Sequence, residues 1–266
     1  MGILAVLTEA AVVLSVLLSV SLGVVVGPRQ VRRGLADHRA RLWMAARPLA
    51  VLVAVLALNS VVRDYGVSVS WIIGLNVTDE IYAVEGAVVA TLQSVAPLWF
   101  VYYLGYVYVY GYVFLLVFPL LATVVTGEHR LLRRTALAYT VNYAVGMTCY
   151  VLFVSYGPRN AVPTVEPLLF DLLPRFQLLT SEVNANTNVF PSLHTSLSVT
   201  AALLALDTHE TFPKWTPAAV VLAASVVLST MVLGIHWATD VIAGVLLAAF
   251  SVWLANDDRI DAIGRR

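Results

Sequence analysis

Long apolar runs are the feature of this sequence that most restricts its fold. Seven stretches can be interpreted as membrane spans, at residues 3–26, 44–62, 97–124, 135–155, 190–206, 217–235 and 238–255. A helix needs about 20 apolar residues to cross the hydrocarbon core of a bilayer. With 60% hydrophobic and only 12% charged residues, the chain is too apolar for a soluble domain. The sequence therefore predicts an all-α, polytopic transmembrane helical bundle of about six to seven spans.

One further apolar segment, residues 79–96, differs from the predicted spans because it carries four polar side chains. These are Asp79, Glu80, Glu85 and Gln93. Charged groups are costly inside hydrocarbon. We therefore expect this segment to be an interfacial or re-entrant helix.

The basic residues predict how the chain is oriented. Residues 1–26 contain Glu9 and no basic residue ahead of the apolar run, which favours a retained first span over a signal peptide. With the N-terminus outside, 13 of the 16 Lys and Arg residues fall on the inner side, where flanking basic residues resist translocation. Only Arg63, Arg159 and Arg175 stay outside. We expect a multi-pass cell-membrane protein with residues 257–266 as a cytoplasmic tail.

The charge balance and the single cysteine exclude some other functions. A formal net charge of zero gives no global basic field of the kind that attracts nucleic acid, so no nucleic-acid partner is predicted. Cys149 lies inside an apolar run without a second cysteine, which indicates a packing residue. The oligomeric state is not predicted.

Three polar fragments separated by whole spans are predicted to lie on one membrane face. They read YGPRNAVP at residues 156–163, FPSLHTS at 190–196 and STMVLGIHWATDVIAG at 229–244. The loop between the first two holds the polar run SEVNANTN at 181–188, which is typical of a binding surface. A shared face for all three fragments predicts an extracytoplasmic site.

The second and first fragments offer groups that suit a phosphate. Ser192 begins a predicted span, and the amides at a helix N-terminus attract anions, phosphate above all. His194 lies two residues further on, with an unperturbed pKa near 6.5 that suits a proton donor. Arg159 supplies a bidentate cation that matches phosphate oxygens.

The third fragment offers a nucleophile. His236 and Asp240 are four residues apart, a spacing that brings them within hydrogen-bonding reach on one helix face. A carboxylate that keeps one ring nitrogen protonated leaves the other nitrogen free to attack.

Other interpretations of these residues stay open. Each residue alone suits a structural role: an interfacial anchor for His194, a local hydrogen bond for His236 and Asp240, or a loop charge for Arg159. A metal site built from His194, His236, Asp240 and Glu182 is a weaker alternative. A lipid transporter or flippase, or a purely structural membrane protein, is an alternative of another class. Transport is disfavoured because the last four predicted spans carry ionisable residues only near their ends.

Two of the fragments resemble signatures of the type 2 phosphatidic acid phosphatase superfamily, which includes lipid phosphate phosphatases and vanadium haloperoxidases. Residues 191–194 match the signature P-S-x-H, and Ser229, His236 and Asp240 lie in register with S-R-x5-H-x3-D, followed by Gly244. The resemblance covers roughly residues 140–255. It implies a phosphatase-like catalytic core at 135–256 behind N-terminal transmembrane helices at 1–134.

The chain departs from these signatures at the basic positions. Thr230 stands at the position of the third-signature arginine, and the first signature, K-x6-R-P, is reduced to Pro158 and Arg159 in reversed order. Lys214 is the only lysine and is predicted on the inner face. In these respects the chain looks like the inositol phosphorylceramide synthase branch, whose members transfer a phosphorylated head group between lipids.

The resemblance implies a role for each site residue. His236 would attack phosphorus to form a phosphohistidine, Asp240 would orient it, and His194 would protonate the leaving oxygen. Arg159, Ser192 and, more weakly, Ser229 would bind phosphate oxygens, with no metal and no other cofactor. The predicted function is a membrane lipid phosphatase or phosphotransferase that acts on a lipid phosphate or phosphodiester, with head-group transfer as the alternative.

Overall fold

A computed structural model describes residues 3–177 and 189–256, apart from the side chains of residues 63–67. Helices dominate it. In the first half of the chain they are α1 (Ile3–Ser21), α2 (Pro28–Ala36), α3 (His38–Ile73), α4 (Thr78–Glu85), α5 (Val88–Val95), α6 (Leu98–Tyr106) and α7 (Tyr112–Thr126). In the second half they are α8 (His129–Leu152), α9 (Pro158–Ala161), α10 (Leu168–Leu172), α11 (Leu193–Asp207), α12 (Trp215–Val232) and α13 (Ala238–Leu254).

Six of the seven predicted spans each overlap one long helix, and the seventh, 97–124, covers α6, a π-helical turn and α7. By length and composition, four stretches can cross a membrane: Ile3–Val26, His38–Val62, Leu98–Thr126 and Trp215–Val232. α11 and α13 are shorter apolar helices. α8 is more polar, but its Thr135 and Asn142 are buried against the other helices. The predicted all-α helical membrane bundle is thereby confirmed.

The outer surface of the bundle is apolar, as a lipid-facing surface must be. Large side chains such as Trp43, Ile72 and Leu246 are well over half exposed. Contiguous apolar exposure on this scale is not found on a soluble monomer. Inside the bundle α11 contacts α7, α8, α12 and α13, so it is the central helix.

The segment predicted to be interfacial forms two short helices, α4 and α5. Each has eight residues, far too few to span a bilayer, and Gly86 separates them with a φ of 54°. The segment is attached to the chain that follows α8 by two short parallel strands, β1 (Leu75–Asn76) and β2 (Phe153–Val154). It therefore covers the same end of the bundle at which α8 ends.

The two ends of the bundle differ in chemistry. α8 ends, and α11 and α13 begin, at the end that carries the three polar fragments. About 22 Å away along α11, Asp207 pairs with Arg134 at 2.6 Å. Near that second end Lys214 donates to the Val24 carbonyl at 3.2 Å. We refer to the second end as the basic end.

Candidate active site

The three polar fragments, distant in sequence, touch one another in the structure. The Arg159 amide donates to the Gly234 carbonyl at 3.1 Å, which joins the first fragment to the third. The Ser192 amide donates to the Asp240 carbonyl at 3.1 Å, which joins the second to the third. The rings of His194 and His236 lie 6.5 Å apart between centroids. The fragments therefore form one cluster with two histidines at its centre.

His236 and Asp240 form a buried pair. His236 Nδ1 lies 3.3 Å from Asp240 Oδ2, and the exposed fractions of the two residues are 4% and 0%. The pair is not built within one helix as the spacing predicted, because α13 begins at Ala238, after His236. The His236 amide instead donates to the Thr230 carbonyl at 2.9 Å, in the turn that leaves α12. Gly234 has a φ of 72°, which a glycine adopts easily and which lets that turn close.

Ser192 begins the helix that carries His194. Its hydroxyl accepts the Thr195 amide at 3.2 Å, a neutral N-cap for α11. An oxygen that accepts in this way can still donate its own hydrogen. A Cβ atom at Gly244 would lie 2.7 Å from the Ser192 carbonyl, so a glycine there lets α13 approach the start of α11. This close contact explains why a glycine, Gly244, follows the third signature.

Two tyrosines contact the His194 ring. The Tyr108 ring stacks on it at a centroid distance of 4.4 Å, and the Tyr112 ring lies 4.3 Å from it at a tilt of 37°. Tyr108 belongs to a π-helical turn, Val107–Gly111, that interrupts the helix between α6 and α7. Such turns often occur at functional sites. Sequence reasoning missed both tyrosines; the aromatic-rich run at 102–112 was the available signal.

Arg159 is held beside the third fragment. A Cβ atom at Gly157 would lie 2.4 Å from the Ile235 carbonyl, so only a glycine permits this approach of the two backbones. The guanidinium lies 4.7 Å from the centroid of the Phe170 ring. Partial burial lowers the pKa of Arg159 below its ordinary value, since desolvation disfavours the charged form. An arginine nevertheless keeps its charge in proteins, so this side chain is a fixed cation.

Comparison with known families identifies one family for this chain. The sequence matches the PAP2 superfamily over residues 81–254. The chain belongs to the PAP2 superfamily. No curated protein and no solved structure matches the chain. Membership in the PAP2 superfamily implies a phosphatase-type or phosphotransferase-type enzyme in general terms.

The PAP2 match begins earlier than the predicted catalytic core. The sequence signatures predict a core that starts at residue 135, whereas the match starts at residue 81, within α4. It thus includes α5 to α7 and the tyrosines that contact His194. The match gives no support for one particular branch of the superfamily.

Ser229 and Thr230, the start of the third PAP2 signature, are fully buried. The Ser229 hydroxyl donates to the Val226 carbonyl at 2.6 Å, within its own helix. Its hydrogen is therefore not directed at the two histidines, and a phosphate-binding role for Ser229 remains a prediction. The Thr230 carbonyl accepts the amides of Ile235 and His236, so Thr230 holds the histidine turn through its backbone.

Glu85 is the second feature of this PAP2 site that sequence reasoning missed. Its carboxylate accepts the Ala238 amide at 2.8 Å and the Thr239 amide at 2.5 Å. From the sequence alone, Glu85 indicates only that residues 79–96 form an interfacial or re-entrant helix. No motif relates it to α13, which lies 153 residues away in sequence. Only the fold places this carboxylate at the start of that helix.

The metal alternative has no support in the part of the chain that the structure describes. Within residues 3–177 and 189–256, no three His, Cys, Asp or Glu side chains lie close enough to hold a metal ion. Glu182, the fourth ligand considered, and the polar run 181–188 lie outside the described residues.

Proposed function

We propose that this PAP2 protein is an integral membrane enzyme that cleaves a lipid phosphate ester through a phosphohistidine on His236. The observation that carries the proposal is the His236 ring, paired with buried Asp240 and facing His194 at 6.5 Å. A nucleophile, its orienting carboxylate and a second imidazole make up a phosphoryl-transfer constellation. Arg159, fixed to the same turn by its amide, adds a cation for the phosphate oxygens.

The proposed reaction has two steps. In the first, the Nδ1–H of His236 donates a hydrogen bond to Asp240, which orients the ring, and the Nε2 lone pair attacks phosphorus. An N–P bond forms while the P–O bond to the leaving alcohol breaks, and protonated His194 donates its proton to that oxygen. In the second, water or an alcohol attacks phosphorus, the N–P bond breaks, and His194 takes the proton of the attacking group. Arg159 and Ser192 would hold the non-reacting oxygens throughout.

The side of the membrane is also part of the proposal. The histidine cluster lies at the end of the bundle opposite the basic end, where Arg134 and Lys214 are found. Basic residues flanking spans stay in the cytoplasm, so this distribution favours an extracytoplasmic site in the cell membrane.

A second candidate is transfer of a phosphorylated head group to an alcohol acceptor, the reaction type of the inositol phosphorylceramide synthase branch. The observation that favours it is the scarcity of cations. Across the three fragments Arg159 is the only Lys or Arg, and Thr230 occupies the position of the signature arginine. A site with few cations suits a singly charged phosphodiester better than a doubly charged monoester.

The test is the His236→Ala variant, purified in detergent or liposomes and incubated with lipid phosphates and phosphodiesters. Loss of the nucleophile should reduce turnover by about 1,000-fold or more, measured as free phosphate and as new lipid products. His209→Ala is the matched control, since His209 is exposed at the basic end and should leave turnover unchanged. Mass spectrometry of the rapidly quenched wild type should find an acid-labile phosphorus adduct on His236. Wild-type turnover by His236→Ala would refute the mechanism.

A further inference from the structure

The amide of the N-cap residue of α13, Trp237, and the first two amides of the helix are bonded to carboxylates. The Trp237 amide donates to Asp240 Oδ2 at 2.9 Å. The next two, of Ala238 and Thr239, donate to the two oxygens of Glu85 at 2.8 and 2.5 Å. These are the three residues that directly follow His236. The helix start nearest the proposed nucleophile therefore already has two anions bound to it.

Bound carboxylates change what this helix start can do. Free amides and a partial positive charge normally make a helix N-terminus an anion site. At the start of α13 Glu85 and Asp240 occupy these amides, and their two negative charges outweigh the helix end's partial charge of about +0.5. A phosphate near His236 consequently meets two carboxylates instead of a positive helix end.

Glu85 is held firmly in this position. The Ile81 side chain, one turn earlier on α4, packs in a buried cluster with Trp237 and Val162. The Tyr82 ring lies 6.2 Å from the Trp237 ring between centroids. The indole Nε1 of Trp237 in turn donates to the Tyr156 carbonyl at 2.8 Å. The packing of α4 on Trp237 thus holds the Glu85 carboxylate at the two amides that follow this residue.

Few cations offset these carboxylates. Arg159 is the only Lys or Arg in the three fragments. Arg175, from the same outer loop, is already paired with Glu9 at 2.9 Å and donates to the Tyr106 hydroxyl at 2.8 Å. Within residues 3–177 and 189–256, the charged residues that the hydrogen bonds join to the segment 234–240 are one cation, Arg159, and two carboxylates, Glu85 and Asp240. This excess of negative charge disfavours the binding of a substrate with each further negative charge that it carries.

We propose that Glu85 determines specificity by disfavouring the second negative charge of a phosphomonoester, so that the site prefers phosphodiesters. The inference rests on the proposed function, because it concerns the substrate of the same site. A monoester carries up to two negative charges at neutral pH, and a diester carries one. Repulsion from a carboxylate at the nucleophile's helix therefore separates the two classes.

The experiment compares two lipids with the same acyl chains: phosphatidic acid, a monoester, and phosphatidylglycerol, a diester. The measured quantity is the ratio of kcat/KM for the diester to that for the monoester. The wild type should favour the diester, and Glu85→Gln should lower the ratio about 10-fold, because one unit of repulsive charge is removed near the site. Glu85→Asp, which keeps the charge on a shorter side chain, should keep the wild-type ratio. Glu80→Gln, an exposed carboxylate on the same helix, is the matched control.

The outcomes separate the inference from the proposed function. A merely structural Glu85 would lower both kcat/KM values together in Glu85→Gln and leave their ratio unchanged, which overturns the inference. A wild-type preference for the monoester overturns it as well. If Glu85→Gln is too unstable to assay, Glu85→Asn is compared with Glu85→Asp, and equal ratios in this charge-only pair overturn the inference. Absence of turnover for both lipids in the wild type would instead count against the proposed function.

Discussion

The two helices that begin at the site, α11 and α13, are capped in opposite ways. α11 has a neutral cap, the Ser192 hydroxyl on the Thr195 amide. α13 has the carboxylates of Asp240 and Glu85 on the amide of its N-cap residue, Trp237, and on its first two amides. The cap of α11 therefore adds no negative charge, whereas the cap of α13 places two carboxylates at the helix end that follows His236. We expect this difference in charge to give the two helix ends different roles at the proposed site.

The two histidines also differ in their contacts. His194 lies within the first turn of α11, where the rings of Tyr108 and Tyr112 pack against it. His236 precedes α13 and is paired with Asp240. A carboxylate partner fixes one tautomer of an imidazole, which suits the nucleophile role proposed for His236.

The largest loss of kcat is expected when the charge of Asp240, at the start of α13, is removed. Asp240→Asn keeps an oxygen that can accept the Trp237 amide, but it no longer stabilises the charge that develops on His236. We expect kcat to fall about 1,000-fold with little loss of thermal stability. Steady-state kinetics and a melting curve measure the two effects. Asp79→Asn, an exposed carboxylate on α4, should behave like the wild type; an unchanged kcat in Asp240→Asn would remove the orienting role.

A smaller effect should come from adding a charge at α11. Ser192→Asp makes its cap resemble that of α13, and the new carboxylate should repel phosphate and lower kcat/KM about 30-fold. Ser192→Asn is the matched control, because asparagine has nearly the same volume as aspartate and caps a helix about as well, but carries no charge. We expect its kcat/KM to stay several-fold above that of Ser192→Asp. If kcat/KM fell equally in the two variants, the larger side chain at this fully buried position would be the cause, and the added charge would not.

The smallest expected effect concerns the aromatic surroundings of His194. Tyr108→Leu removes the stacked ring and should lower kcat about 10-fold, the upper range for one aromatic pair. Tyr108→Phe keeps the ring and should stay within about 2-fold of the wild type. If Phe were as harmful as Leu, the Tyr108 hydroxyl would be the important group and stacking would not.

Sequence reasoning succeeded where the signal is local. The apolar runs predicted the helices, because a helix that spans a bilayer needs about 20 consecutive apolar residues. The two histidine signatures pointed to residues that the fold brings within a few ångströms of one another. The local geometry of His236 was less predictable, because a spacing of four residues fits both a helix and the capping turn that the structure contains.

Sequence reasoning could not identify contacts that join distant segments. The polar side chains of residues 79–96 predicted an interfacial or re-entrant helix but gave no indication of their partners. In the structure Glu85 and Gln93 hydrogen-bond to backbone groups of α13, Glu166 and Val232. Nothing in the local sequence specifies such partners, because they depend on how α4 and α5 pack.

The sequence by itself determined the membrane bundle, the family signatures and the identities of His194, His236 and Asp240, all of which depend on composition and short spacing. The tertiary structure decided which groups surround them: the tyrosines on His194, the backbone contact that holds Arg159, and Glu85 at the start of α13. The physical reason is that charge and stacking act through space. Their strength depends on distances of a few ångströms between side chains that lie tens to more than a hundred residues apart in the chain.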